Sequence, residues 1–171
     1  MGLRDRIRND DGPQTLRYQM REKLMSIGDD SWIEDSNGQR AFKVDGKALR
    51  VRDTFKLKNA DGDVVAEIQE RAVRVRDTME IERPGGNVTV KKALVGIRDR
   101  FAIDVDGGPD MKAKGNFVDH EYEIERDGAT VATISKKWFR VRDTYGVEIA
   151  PGEDVAMILA ITVCIDNLTG G

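Results

Sequence analysis

The residues of this chain best equipped for chemistry are arginines paired around one apolar residue and followed by an aspartate. Arg50-Val51-Arg52-Asp53 returns as Arg74-Val75-Arg76-Asp77 and as Arg140-Val141-Arg142-Asp143, with Arg98-Asp99-Arg100 a looser copy. A guanidinium is a planar fork of donors that grips phosphate or carboxylate through two parallel hydrogen bonds. In register, Arg50, Arg52, Arg74, Arg76, Arg98, Arg100, Arg140 and Arg142 form a candidate site for an anion or a lipid headgroup. The competing reading is an exposed cross-strand ladder in which each arginine answers the aspartate beside it or one on the next unit. The two differ in what they require: an anion site needs uncompensated cations, whereas a ladder needs a carboxylate for every repeat arginine.

Other reactive side chains lead to no catalytic assembly. His120 is the only histidine, and no nucleophile stands at a telling distance from it along the chain. Asp29 and Asp30, and the aspartates from Asp104 to Asp110, have the composition of a calcium site. The run Asp-Val-Asp-Gly-Gly-Pro-Asp, however, lacks the remainder of an EF-hand loop and its closing glutamate, and reads as a turn. Lys91, Lys92, Lys136 and Lys137 occupy corresponding places between strands, as solvated strand ends or a cationic rim. There is no glycine-rich phosphate loop, nucleophile elbow or zinc spacing. The expectation is a non-catalytic protein with no cofactor and no metal.

Lys and Arg number 28 against 31 Asp and Glu, a net charge of −3, so neither nucleic acid nor a polyanionic surface is drawn by net charge. Cys164, the single cysteine, lies in an apolar run as a small hydrophobe, which fits a reducing, cytoplasmic setting. The N-terminal residues are charged, without a secretory apolar stretch, and Arg6 stands where a myristoylation motif wants Ser or Thr. The longest apolar run, Val155 to Ile165, falls short of the roughly 20 residues that a spanning helix needs.

The arginine motif belongs to a longer repeat that dictates the fold. Asp53, Asp77, Asp99 and Asp143 stand 24, 22 and 44 residues apart, and the last interval holds two periods. The intervening copy is Val118-Asp119-His120-Glu121-Tyr122, with His120 in the aspartate slot; one step back from Asp53 gives Asp29. Each of the six units reads as an alternating stretch, a turn and a second alternating stretch. The turns are Ser36-Asn37-Gly38, Asp61-Gly62, Pro84-Gly85-Gly86, Asp106-Gly107-Gly108 and Asp127-Gly128. Six strand pairs predict about twelve antiparallel strands, too many for a flat open sheet, so closure into a barrel is expected.

The sixth unit breaks off after Pro151-Gly152-Glu153-Asp154, where an uninterrupted apolar run replaces the alternation. An element apolar on every side must be buried on every side, and a barrel of this size needs a plug. A central hydrophobic helix over about 153–168 is therefore expected. Strict alternation would put Val51, Asp53 and Phe55 on one face and bury a carboxylate, so a bend at the barrel rim is preferred for the aspartate slot. Trp32, Trp138, Phe101, Phe117 and Tyr145 are read as core or cross-strand aromatics.

Four segments in order resemble the LURP-one-related family: Tyr18 to Asp30, Phe42-Lys43-Val44-Asp45-Gly46-Lys47-Ala48, Gly115 to Tyr122, and Ser135-Lys136-Lys137-Trp138-Phe139-Arg140-Val141-Arg142-Asp143-Thr144-Tyr145-Gly146-Val147. The likeness covers about residues 16–168. That family is related by fold to the Tubby C-terminal domain and to phospholipid scramblases, which implies a twelve-stranded barrel around a hydrophobic helix and, through those relatives, contact with lipid. No Tubby lipid-pocket motif carries over to residues here, and the Pro- and Cys-rich leader of scramblases is missing. The expected organisation is an N-terminal arm over 1–15 and one barrel domain over 16–171. The expected function is binding of an anionic phospholipid headgroup, such as a phosphoinositide. The alternative is a protein-interaction scaffold without a small ligand; a carrier using the lumen fails if the helix fills it.

Overall fold

The structure, a computed structural model, describes residues 14–21, 31–46, 54–70, 77–95, 98–138 and 144–170. Twelve antiparallel strands close into a barrel. They are β1 (Leu16–Arg21), β2 (Ser31–Asp35), β3 (Arg40–Asp45), β4 (Thr54–Asn59), β5 (Val64–Glu70), β6 (Thr78–Glu82), β7 (Val88–Val95), β8 (Arg98–Val105), β9 (Met111–Asn116), β10 (Glu121–Arg126), β11 (Ala129–Ser135) and β12 (Thr144–Ile149). Each strand pairs with its neighbours in sequence, and β1 closes the ring between β12 and β2. The repeat accounts for eleven of these strands, since the sixth unit supplies β12 and then the helix. The twelfth is β1, which the repeat grammar does not mark.

Turn chemistry fixes the hairpins. Asp35 Oδ1 accepts hydrogen bonds from the backbone N–H of Asn37 and Gln39, both at 2.9 Å, and Asn59 Oδ1 accepts from Asp61 and Asp63 at 3.0 and 2.9 Å. These side chains mimic a backbone turn one unit apart. In each hairpin the glycine takes a left-handed φ, +74° at Gly38 and +89° at Gly62, and the register slips by one residue beside it. That is the signature of a turn closed by a bulge. Asp127 and Gly128 form a two-residue turn with both φ positive, at 51° and 78°.

Alternation sends one side chain in two inward: Phe55, Leu57, Ile68, Met79, Ile81, Phe101, Ile103, Ile124, Ile134, Tyr145, Val147 and Ile149 form the wall of the core. The helix α1 (Val155–Gly170) runs through the lumen, buried continuously from Met157 to Ile165. It starts where Asp154 caps it, Oδ1 accepting from the Met157 N–H at 3.1 Å. Two ion pairs anchor that end. Arg126 of β10 grips Glu153 with both guanidinium nitrogens at 2.8 Å, and Arg83 after β6 holds Asp154 at 2.8 Å. A lumen packed by its own helix leaves no interior for cargo, so the carrier reading fails.

The aspartate slot takes two forms. Asp77 stands just before β6 at φ 58°, and His120, in the same slot, just before β10 at φ 50°. These are the rim bends that a buried carboxylate would otherwise have required. Asp99 instead lies within β8, opposite Leu94. Asp29, Asp30, Asp53 and Asp143 fall outside the described residues. Two expectations need correction. Lys91 and Lys92 lie inside β7 rather than between strands, because the strand extends past the turn-proximal pairs. Trp32 and Trp138 are not core: both stay half-buried, on rings that cations overlie from outside.

Candidate functional site

An up-and-down barrel has two mouths, and this one sorts its connections strictly between them. The strand ends flanking the motif segments, such as Asp45 and Thr54, Glu70 and Thr78, or Ser135 and Thr144, share one mouth; the tight turns and the helix start share the other. The segments joining strands at the first mouth carry eleven Lys and Arg against seven Asp and Glu, a net of +4. Those at the second, with the link into α1, carry one Arg against seven Asp and Glu, a net of −6. By sequence, then, the connections of the first mouth are basic and those of the second acidic, in a chain of net charge −3.

Of the eight candidate arginines, Arg50, Arg52, Arg74, Arg76, Arg140 and Arg142 lie outside the described residues. Arg98 opens β8, with its side chain likewise outside the description. Arg100 is described: it is exposed, two residues into β8 from the basic mouth, and makes no hydrogen bond or ion pair with a described residue. Its cross-strand neighbour on β9 is Lys114. Like charges directly opposite destabilise a sheet by a few tenths of a kcal/mol up to about 1 kcal/mol. Lys114 turns away to Glu125 at 2.8 Å, and Arg100 has no carboxylate partner among the described residues.

Arg100 and Lys114 wall a cleft of about 760 Å³ beside the basic mouth, together with Asn116, Val118, Glu121 and Glu123. Gly115 makes the close approach of β9 to β10 possible. Its φ is +139°, and a Cβ there would lie 2.6 Å from the Glu121 carbonyl oxygen and 2.7 Å from the Tyr122 Cα. Behind it Phe117 meets Phe101 edge-to-face and Tyr122 at a tilt, with ring centroids 4.7 and 4.9 Å apart. Asn116 Nδ2 donates to Asp119 Oδ2 at 2.7 Å and its Oδ1 accepts from the Asp119 N–H at 3.1 Å, which holds the connection over the cleft. Val118, at its tip, is 74% exposed.

Below the same mouth lies a buried polar cluster. His120 stacks on Tyr145 at 4.3 Å with 14° between the rings, and its Nε2 lies 3.6 Å from Asp166, the only charged residue of α1. Burial, and then the negative charge of Asp166, push the Tyr122 hydroxyl well above its usual pKa. Burial raises the Cys164 thiol as well. The cluster ties the helix C-terminus to the wall through His120. Asp110 closes its turn by accepting from the Val105 N–H at 3.0 Å. Among the described residues no His, Cys, Asp and Glu gather as metal ligands.

Ion pairs that involve none of the repeat arginines stand elsewhere on the wall. Arg17 pairs with Glu148 at 2.7 Å and Lys58 with Asp45 at 3.1 Å. No described helix is long and apolar enough to cross a membrane.

The architecture is a helix-filled, twelve-stranded antiparallel barrel whose connections are, by sequence, basic at one mouth and acidic at the other. The family description LURP-one-related matches residues 16–166, and the chain belongs to that family. A protein of Arabidopsis thaliana, solved by X-ray methods, has the same fold: the TM-score is 0.68 at 20% identity, over 91% of this chain and 92% of that one. At that identity the likeness concerns fold alone. No curated protein matches the chain in sequence.

Proposed function

We propose that this protein is a non-catalytic barrel module that binds an anionic phospholipid headgroup, of the phosphoinositide type, at its basic mouth. The observation that carries the reading is Arg100: a repeat arginine that pairs with no carboxylate among the described residues, set opposite a second cation in a cleft large enough for a headgroup. The ladder reading requires a partner for every repeat arginine, and Arg100 departs from it. A phosphate bound between Arg100 and Lys114 turns a repulsive cross-strand pair into a clamp of charge-assisted hydrogen bonds. The remaining motif arginines lie outside the described residues; by sequence they belong to segments that join strands at the same mouth and are further candidate cations, and the acidic mouth orients the barrel away from an anionic surface.

The test is co-sedimentation with neutral, phosphatidylserine and phosphoinositide vesicles at low and physiological salt. Expected is headgroup-selective binding that survives physiological salt, drops on Arg100→Ala and Lys114→Gln, and drops further with Arg50→Ala, Arg74→Ala and Arg140→Ala. No binding to any membrane would assign the barrel to protein interaction instead, a reading that the ion-paired outer wall favours.

A further inference from the structure

A second set of charges stands unpaired on the opposite wall. Glu34 of β2 and Arg40 of β3 are direct cross-strand partners, the arrangement in which opposite charges ordinarily pair. They form no ion pair. The Arg40 guanidinium lies over the Trp32 ring instead, 4.7 Å from its centroid, with Lys43 5.6 Å from the same ring. Arg21, at the end of β1, is exposed and likewise has no partner among the described residues. Arg21, Glu34 and Arg40 line one cavity of about 220 Å³ with Gln19, Ser31 and Trp32. On a wall where Arg17–Glu148 and Lys58–Asp45 pair at 3.1 Å or closer, two guanidinium groups and a half-buried carboxylate left apart around a shared space are the exception.

The lining identifies a ligand class. An anion alone meets Glu34, and a cation alone meets Arg21 and Arg40, so either carries a repulsive contact. A molecule with both charges satisfies all three. The space is below the roughly 300–1,000 Å³ of drug-sized ligand pockets, which limits the occupant to a few heavy atoms. We infer that this cavity binds a small zwitterion whose phosphate or carboxylate is held by Arg21 and Arg40 and whose primary ammonium is held by Glu34 against the Trp32 ring. Ser31 and Gln19 add neutral hydrogen bonds, and a primary ammonium beside an indole gains both a cation–π contact and N–H donors for the carboxylate. The zwitterion is either a free metabolite or the headgroup of a lipid; the chemistry is shared. This site is separate from the Arg100 cleft and stands whether or not that cleft binds phosphoinositide.

Trp32 makes the test direct, because the chain holds two tryptophans and Trp138→Phe leaves Trp32 as the sole indole reporter. O-phosphoethanolamine is titrated against inorganic phosphate and against ethanolamine. Expected is a saturable change in Trp32 emission with phosphoethanolamine, each fragment binding at least about tenfold more weakly. Glu34→Gln removes the advantage over phosphate, and Arg21→Gln with Arg40→Gln removes the advantage over ethanolamine. Phosphatidylethanolamine vesicles, with phosphatidylcholine vesicles as control, distinguish the sources: a response to the former that free phosphoethanolamine competes away assigns a lipid headgroup, and a response to the free molecule alone assigns a soluble one. No saturable response to phosphoethanolamine, equal response to phosphate, or an unchanged preference in Glu34→Gln overturns the inference.

Discussion

At the residue scale the structure turns on a few atoms whose removal has separable effects. Gly115 is one: its φ and the backbone atoms within 2.7 Å of a Cβ leave an added methyl nowhere to go, since backbone cannot swing aside as a side chain does. Gly115→Ala is expected to destabilise by about 2 kcal/mol or more in urea unfolding. Asp154 has two roles, cap and ion-pair partner. Asp154→Ala should cost about 1 kcal/mol for the cap together with the Arg83 contact, whereas Asp154→Asn keeps a capping oxygen and should cost visibly less. The arginine motif was plain in the sequence because it recurs. That Arg100 would face a cation was not, because pairing depends on the β8–β9 register, which puts Lys114 rather than a carboxylate opposite. The Trp32 cavity was missed for a similar reason: Glu34 and Arg40 are six residues apart across a turn with a bulge, and which of Glu34 or Trp32 receives the guanidinium is a three-dimensional outcome.

At the scale of elements, the helix is held at both ends by unlike devices. At the acidic mouth the bidentate Arg126–Glu153 pair fixes its start, and that contact raises the Arg126 pKa. At the basic mouth His120 reaches Asp166 while stacking on Tyr145. His120→Ala removes the stack and one neighbour of Asp166, with an expected loss of about 1–3 kcal/mol in denaturant unfolding. The buried acids give stability a high-pH limit. Tyr122 and Cys164 are both raised by burial, Tyr122 further by Asp166, so their protons leave the unfolded chain more readily than the folded one. Their contribution is complete below the ordinary values of 9.0 for the thiol and 10.0 for the phenol, and is lost as pH rises beyond them. Unfolding at pH 8 and above pH 10 should show this decline, and Tyr122→Phe should flatten it. The helix was legible in sequence because an all-round apolar run has only one place to go in a barrel. Strand β1 was not, since Leu16 to Arg21 carries no turn and no motif of its own; only closure of the ring gives it partners on both edges.

At the scale of the whole molecule, every second connection falls at the same mouth, so the segments that carry the sequence motif join strand ends of one mouth while the Asp-Gly and Asn-Gly turns close the other. Composition alone, at net −3, conceals that separation and reads as indifference to anions. The consequence is directional: binding to an anionic surface should weaken with rising salt, and reversing acidic-mouth charges, as in Asp61→Lys with Asp106→Lys, should leave headgroup affinity at the basic mouth nearly unchanged while loosening the preferred orientation. The measurement that bears most directly on the central claim is a backbone amide NMR titration with a soluble inositol phosphate. Shifts confined to Arg100, Lys114, Asn116 and the basic mouth, saturating together and abolished by Arg100→Ala, are the expected result. Shifts absent altogether, or spread equally over Asp61, Asp106 and Asp127 at the acidic mouth, would contradict the account.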